Sequence, residues 1–134
     1  MKEVEGMIIQ LDLQAETPIY MQLRNKIIEG IAAKQLLPGE ELPSVRAMAT
    51  DIGVNMQTVN KTYQLLKSGG FILIHRQKGV IVNPDTIPGV SDDYTTELAM
   101  NLRPLIAELI CRKMDENQFA AICKQIFAEI KNAD

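Results

Sequence analysis

Residues 36–63 contain two short helix signals joined by a tight connection, and this pattern constrains the fold more than any other part of the chain. Ser44 is a good N-cap for the first helix, in which apolar residues recur at helical spacing. Gly53 is a natural helix end, because glycine adopts a left-handed backbone without steric cost. Asn55 can then cap a second helix. Two helices linked this closely predict a helix-turn-helix.

The second predicted helix has two chemically different faces. Val59, Tyr63 and Leu66 share one face, which predicts a buried side. The opposite face carries amide, hydroxyl and ammonium groups without a carboxylate, and consists of Gln57, Thr58, Asn60, Lys61 and Gln64. Such groups read base edges and contact phosphate when a helix enters the DNA major groove. A plain solvated helix face is the alternative interpretation.

The charge of the chain is unevenly distributed. The net charge of −3 is unusual for a protein that binds nucleic acid. Residues 44–83, however, contain five basic side chains and one acidic one, whereas residues 84–134 contain five basic and nine acidic ones. The acidic groups therefore lie mainly outside the predicted binding region. Aromatic residues make up only 4% of the chain, which argues against base stacking on aromatic platforms.

Further elements are predicted on both sides of the helix-turn-helix. Residues 1–6 are expected to lack regular structure, and residues 7–11 have strand composition. Thr17 as the cap and Pro18 in the first turn predict a helix over residues 18–33.

After the helix-turn-helix, residues 71–76 and 80–82 are β-rich runs around a turn that contains Gly79, which predicts a hairpin. A hairpin at this place is a wing, whose Arg76 and Lys78 would lie near the DNA backbone or the minor groove.

Two helices with broad apolar stripes are predicted from about residue 92 onward. Pro104 falls inside the first stripe without changing its phase, so a kink is expected there. Two helices of roughly 40 residues in total cannot bury both stripes by themselves. The excess apolar surface implies a partner, most simply a second copy. The residues predicted to form this dimer interface are Leu102, Leu105, Ile106, Leu109, Phe119, Ile122, Ile126 and Phe127.

The predicted fold is mainly α with a small β-hairpin. It comprises a winged helix-turn-helix over residues 1–83, a linker over 84–91, and a two-helix dimerisation hairpin over 92–134. Cys111 and Cys123 lie in apolar patterns without paired spacing, so they are predicted to be reduced and buried.

The sequence contains no pattern typical of an enzyme. It has a single histidine, His75, and no nucleophile–base pair, metal-ligand cluster or phosphate-binding glycine loop. Neither a cofactor nor a metal is therefore expected. The absence of a signal peptide or a membrane-spanning run predicts a cytoplasmic protein.

A set of short motifs runs from residue 17 to residue 82. They are Pro18-Ile19-Tyr20-Met21-Gln22-Leu23, Leu37-Pro38-Gly39, Leu42-Pro43-Ser44-Val45-Arg46, Gly53-Val54, Thr58-Val59 and Tyr63-x-x-Leu66. Together they resemble the GntR family of bacterial winged-helix regulators. Val54-Asn55 and Lys61, with the short helical C-terminal part, are most similar to its YtrA-type subgroup. The resemblance implies a homodimeric transcription factor, usually a repressor, often of transporter operons.

The resemblance also implies roles for single residues. Arg46 matches a DNA-contacting arginine, Thr58 matches the threonine of the recognition helix, and Gly79 matches a wing glycine. Met56 departs from the arginine or proline of many members, and Gln77 from the first wing glycine. The full candidate DNA-binding set is Ser44, Arg46, Asn55, Gln57, Thr58, Asn60, Lys61, Gln64, Arg76, Lys78 and Gly79.

The expected partners are double-stranded DNA with a palindromic operator and a second copy of the chain, acting at the bacterial nucleoid. Two alternatives stay open from the sequence. One is a winged helix that serves as a protein-interaction module, since a fold does not fix a function. The other is an effector-responsive sensor of a small molecule, although the short C-terminal hairpin leaves little room for a pocket.

Overall fold

A computed structural model describes residues 2–4 and 7–133, with side chains from Ile9 onward. Contacts divide the chain into two compact units, one that extends to Pro88 and one that comprises Gly89–Asn132. The first unit contains β1 (Lys2–Val4), β2 (Met7–Ile9), α1 (Ile19–Ala32), β3 (Glu41–Leu42), α2 (Val45–Ile52), α3 (Met56–Ser68), β4 (Ile72–His75) and β5 (Gly79–Val82). The second contains α4 (Asp92–Cys111) and α5 (Glu116–Lys131). This architecture confirms the predicted fold class.

The first unit is organised around one hydrophobic core to which α1, α2, α3 and the strands β2, β3, β4 and β5 contribute. The core residues are Ile9, Leu23, Ile27, Leu36, Leu42, Met48, Ala49, Ile52, Val59, Tyr63, Leu66, Ile72, Val80 and Val82. The predicted buried side of α3 is confirmed, because Val59, Tyr63 and Leu66 are all in this core. Removal of these side chains from water provides the main driving force for folding of the unit.

The wing is part of a three-stranded antiparallel sheet with the strand order β3-β5-β4. Strand β4 pairs with β5 from Ile72 opposite Val82 to His75 opposite Gly79, which confirms the predicted hairpin. The third strand, β3, was not predicted. It has only two residues, and its pairing of Glu41 with Ile81 depends on a part of the chain that is distant in sequence.

The N-terminal segment differs from its prediction. Lys2–Val4 forms β1 and pairs antiparallel with β2, so the expectation that residues 1–6 lack regular structure is wrong over these three residues. Met1, Glu5 and Gly6 lie outside the described residues. Strand β2 ends at Ile9, before the predicted end at residue 11.

Helix α1 begins without the predicted threonine cap. Pro18 is its N-cap residue, and no side chain bonds to the first turn. The Thr17 carbonyl instead accepts a hydrogen bond from Gln22 Nε2 at 2.7 Å. The Gln22 side chain also accepts from the Asp12 backbone N–H and donates to the Asp12 carbonyl, both at 2.8 Å. Gln22 therefore fastens the chain before α1 to the helix itself.

The second unit is a helical hairpin with little interior of its own. Helix α4 continues across Pro104, and Asp115 and Gln118 form a reciprocal capping box at the start of α5. Neither helix, both fully described, buries a single residue. Cys111 is exposed and Cys123 is half-buried, so the prediction that both are buried is wrong. No helix within residues 2–4 and 7–133 has the length and apolarity needed to cross a membrane.

Thr62 is expected to contribute to stability through its hydroxyl. Its side chain is completely buried, and Oγ1 donates to the Tyr20 carbonyl at 2.8 Å. Thr62→Val keeps the shape and removes this hydrogen bond, so the free energy of unfolding should fall by about 1 kcal/mol. Thr62→Ser is the control, because it retains the donor. Urea denaturation measures both changes, and equal stability of Thr62→Val and the wild type would contradict the role of the hydrogen bond.

Candidate nucleic-acid interface

Local hydrogen bonds and one glycine define the ends of the two helices in the helix-turn-helix. Ser44 Oγ accepts from the Ala47 N–H at 3.1 Å, and Asn55 Oδ1 accepts from the Thr58 N–H at 2.8 Å. Gly53 adopts a left-handed backbone with a φ of 73° and ends α2. All three roles predicted from the sequence are confirmed. Ser44 and Asn55 therefore serve first as helix caps, and their contact with DNA stays a prediction.

The orientation of α3 is set by two consecutive buried residues. Thr62 bonds to the carbonyl of Tyr20 in α1, and the Tyr63 hydroxyl donates to the Pro43 carbonyl at 2.7 Å. Pro43 lies directly before the Ser44 cap of α2. These hydrogen bonds attach α3 to α1 on one side and to the beginning of α2 on the other. The exposed residues of α3 are consequently presented in a fixed direction.

A shallow groove lies between the beginning of α2 and the exposed face of α3. It is lined by Val45, Met56, Gln57, Asn60, Lys61 and Gln64. Four of the predicted DNA-binding residues are thus brought together. Val45 and Met56 were not in the predicted DNA-binding set, although the sequence marked Met56 as a departure from the arginine or proline of many family members. Thr58 lies beside this set and is half-buried, and its backbone N–H is already taken by Asn55.

Lys61 has a partner in α1 that the sequence did not indicate. Its Nζ lies 3.9 Å from the centroid of the Tyr20 ring, within the range of a cation–π interaction. The same Tyr20 accepts the Thr62 hydrogen bond through its backbone carbonyl. Tyr20 therefore contacts two consecutive residues of α3 and holds the Lys61 ammonium group at the edge of the groove.

The wing turn is closed by the single histidine of the chain. His75 Nδ1 accepts from the backbone N–H groups of Gln77 and Lys78, each at 3.2 Å. Gly79 follows with a φ of 75°, a conformation that glycine adopts without strain. Gln77 does not need a positive φ, so its departure from the family glycine leaves the turn intact. Arg76 and Lys78 are exposed on either side of Gln77.

The basic side chains between residues 44 and 83 carry charges that no ion pair within the described residues neutralises. Within the described residues, the ion pairs join Lys26 to Glu29 and Arg112 to Glu108. None of the basic side chains between residues 44 and 83 takes part in an ion pair, and all are exposed; they are Arg46, Lys61, Lys67, Arg76 and Lys78. Cations that have no carboxylate partner are suited to phosphate contacts. In the described parts of the chain, no three histidine, cysteine, aspartate or glutamate side chains are grouped for a metal ion.

The predicted dimer residues of the second unit remain largely uncovered within one copy. Five of them are exposed, namely Leu105, Ile106, Ile122, Ile126 and Phe127. Leu102, Leu109 and Phe119 are half-buried. The helices therefore present more apolar surface than a single hairpin covers. Coverage of this surface by a second copy of the chain stays a prediction.

Comparison with known proteins places the chain among transcriptional regulators. The profile of a family described as bacterial regulatory proteins, gntR family, matches residues 15–82. The HTH-type transcriptional repressor YtrA of Bacillus subtilis (strain 168) is 30% identical over 124 residues, which cover 92% of this chain and 95% of that protein.

Two solved structures are similar to the whole chain or most of it. A transcriptional antiterminator from Listeria monocytogenes EGD-e has a TM-score of 0.86 at 27% identity, covering 95% of each chain. YtrA from Sulfolobus acidocaldarius, described as a GntR-family transcription factor, has a TM-score of 0.62 at 38% identity. That alignment covers 75% of this chain and 98% of the archaeal chain.

The contact between Lys61 and Tyr20 should be visible in solution by NMR. Protons above an aromatic ring are shifted upfield, so the ε-methylene protons of Lys61 should resonate upfield of those of the other lysines. Tyr20→Phe should retain this shift because the ring remains, whereas Tyr20→Leu should abolish it. An unchanged Lys61 resonance in Tyr20→Leu would show that the ammonium group is not held over the ring.

Proposed function

The chain belongs to the GntR family of bacterial regulatory proteins and is a DNA-binding transcriptional regulator, and we propose that it acts in the cytoplasm as a homodimeric repressor of a transporter or metabolic operon. Its operator is a palindromic duplex, and the α2–α3 groove of each copy reads one half-site. The observation that carries this proposal is the exposed face of α3, which gathers Gln57, Asn60, Lys61 and Gln64 without an acidic residue.

The groups of the site divide into those that read bases and those that contact the backbone. Gln57, Asn60 and Gln64 carry amides, which pair with base edges in the major groove. Arg46, in the first turn of α2, and the wing residues Arg76 and Lys78 carry charges suited to phosphate. The capped N-terminal ends of α2 and α3 add favourable helix dipoles for phosphate contacts. The arrangement supports specific binding to duplex DNA.

The proposed dimer is supported by the apolar surface of the second unit. A groove along α4 is lined mainly by aliphatic side chains, among them two alanines that allow close approach of another helix; its lining residues are Ala99, Leu102, Arg103, Ile106, Ala107 and Ile110. Phe127 on α5 is 64% exposed. A second copy offers the same surface, so a two-fold contact would cover both. A two-fold dimer also matches the symmetry of a palindromic operator.

The repressor role is supported by the Bacillus subtilis relative, which is described as a transcriptional repressor and aligns over most of both chains. A dimer that occupies an operator blocks transcription by steric exclusion.

Binding to duplex DNA should be selective and sensitive to salt. The Kd for the operator should be on the order of 10⁻⁸ M at physiological salt and should rise steeply with ionic strength, because phosphate contacts release counterions. Selection from a random duplex library followed by fluorescence anisotropy over a salt series measures both properties. Equal, weak affinity for all duplexes would contradict the proposal and would favour the protein-interaction module.

Arg46 and Gln57 should have separable effects on binding. Arg46→Ala should weaken operator binding by about 1–3 kcal/mol, because a charge-assisted contact is lost. Gln57→Ala should instead relax the preference at one or two base positions. Lys26→Ala is the control for charge, because Lys26 is already paired with Glu29 at 3.8 Å. All three are surface changes that should leave the Tm nearly unchanged. Wild-type affinity in Arg46→Ala would contradict the role of Arg46.

A charge on the apolar face of α4 should separate the two copies. Leu105 is 60% exposed, so Leu105→Asp leaves the hairpin intact but would bury a carboxylate in the proposed interface. Light scattering should therefore report a monomer, and operator affinity should fall because the half-sites are no longer bound as one unit. Met100→Asp is the matched control. It adds the same charge at a 69% exposed position that lies about 140° around the helix from Leu105.

A chain ending at Pro88 is the second variant of this test. It retains every core residue of the first unit, so it should fold, bind duplex DNA weakly and be monomeric. If Leu105→Asp and the shortened chain both remain dimeric with full operator affinity, the second unit does not form the dimer interface.

A further inference from the structure

Two apolar side chains, Val45 and Met56, line the otherwise polar groove between α2 and α3. Met56 is the first residue of α3 and is 46% exposed, and Val45 is the first residue of α2 and is half-buried. Both line the groove that also contains Gln57, Asn60 and Lys61. An apolar contact is therefore built into a surface that otherwise presents hydrogen-bonding groups.

These two side chains differ in their relation to the core. Val45 packs against the core cluster of the first unit, so its position is fixed. Met56 does not belong to that cluster or to the residues packed against it, so core packing gives no reason for an apolar residue there. The exposed methionine lies where a helix of this kind meets the edges of the bases. The exposed surface of Met56 is therefore available to contact a ligand and is not part of the packing that stabilises the first unit.

The chemistry of the major groove restricts what such an apolar contact can recognise. Guanine, cytosine and adenine present hydrogen-bond acceptors or donors there, whereas thymine also presents a methyl group. Apolar side chains placed against the polar groups would leave those groups without partners, which is unfavourable. Against the thymine methyl, the same side chains bury apolar surface on both partners.

We propose that Met56 and Val45 form the contact for the methyl group of one thymine in each operator half-site, so that they determine specificity for an A·T pair at that position. This inference rests on the proposed function, since it assigns one base to the α2–α3 groove. Asn60 lies one helical turn beyond Met56 in the same groove and carries the amide that pairs best with adenine. The groove then reads a thymine and an adjacent adenine with neighbouring side chains.

Removal of single methyl groups from the operator tests this assignment. The operator is first selected from a random duplex library with the wild-type chain. Each thymine of one half-site is then replaced singly by uracil, which lacks the methyl group and keeps the base pair. At one thymine, the replacement should weaken wild-type binding about four-fold, the factor that corresponds to burial of one methyl-sized apolar group.

Variants of the chain identify the side chain that senses the methyl group. Met56→Ala should reduce the preference for thymine over uracil at that position, because only Val45 then remains of the proposed contact, whereas Met56→Leu should keep the preference because the apolar surface remains. Gln64→Ala is the matched control within the groove. It should weaken binding to both duplexes and leave their ratio unchanged. A thermal melt of each variant establishes that it is folded.

The outcomes separate this inference from the function on which it rests. If no duplex is selected, the proposed function fails and the inference fails with it. If an operator is selected and the ratio of thymine to uracil affinity is the same in the wild type and Met56→Ala at every position, only the thymine contact is overturned. A smaller methyl preference in Met56→Ala but not in Gln64→Ala supports it, and an equal decrease in both variants overturns it.

Discussion

Two hydrogen bonds donated by the neighbouring buried residues Thr62 and Tyr63 determine where the exposed face of α3 lies. Thr62 donates to the Tyr20 carbonyl and Tyr63 donates to the Pro43 carbonyl, at 2.8 and 2.7 Å. Because hydrogen bonds are directional, they fix the rotation of α3 about its axis more closely than apolar packing alone would. The groove between α2 and α3 depends on that rotation. A helix turned by one residue would direct Val59 outward and bury polar side chains.

The electrostatic character of the first unit follows from local arrangement rather than from the net charge. The chain as a whole carries −3, yet the five basic residues between positions 44 and 83 have no ion-pair partner within the described residues. Salt screens charges over roughly 8–10 Å, so acidic groups farther than this from a phosphate have little effect on it. An acidic chain can therefore carry a surface suited to a polyanion.

Much of the first unit could be predicted from the sequence because its signals are local. The caps at Ser44 and Asn55 and the end of α2 at Gly53 each depend on residues within four positions of one another. The pairing of Glu41 with Ile81 and the contact of Lys61 with Tyr20 join residues about 40 positions apart. The periodicity of a sequence carries no information about contacts between residues so far apart, so only the structure shows them. The role of His75 in the wing turn was missed because a histidine on a strand has no single structural meaning.

The apolar surface of the second unit shows a different limit of sequence reasoning. The stripes on α4 and α5 indicated correctly that one hairpin cannot cover them, since neither helix buries a residue. The same stripes suggested that Cys111 was buried, although it is exposed. A stripe predicts which residues share a face, but burial of that face depends on what packs against it.

Helix α3 has a buried face that packs in the core and an exposed face that does not. This division affects how the sequence of such a protein can change during evolution. Inner residues such as Thr62 and Tyr63 hold the scaffold, so their replacement costs stability. Outer residues such as Gln57 and Asn60 are exposed and do not belong to the core, so their replacement costs little stability. Duplicated genes could therefore acquire new operators by changing a few outer side chains while the same framework is inherited intact.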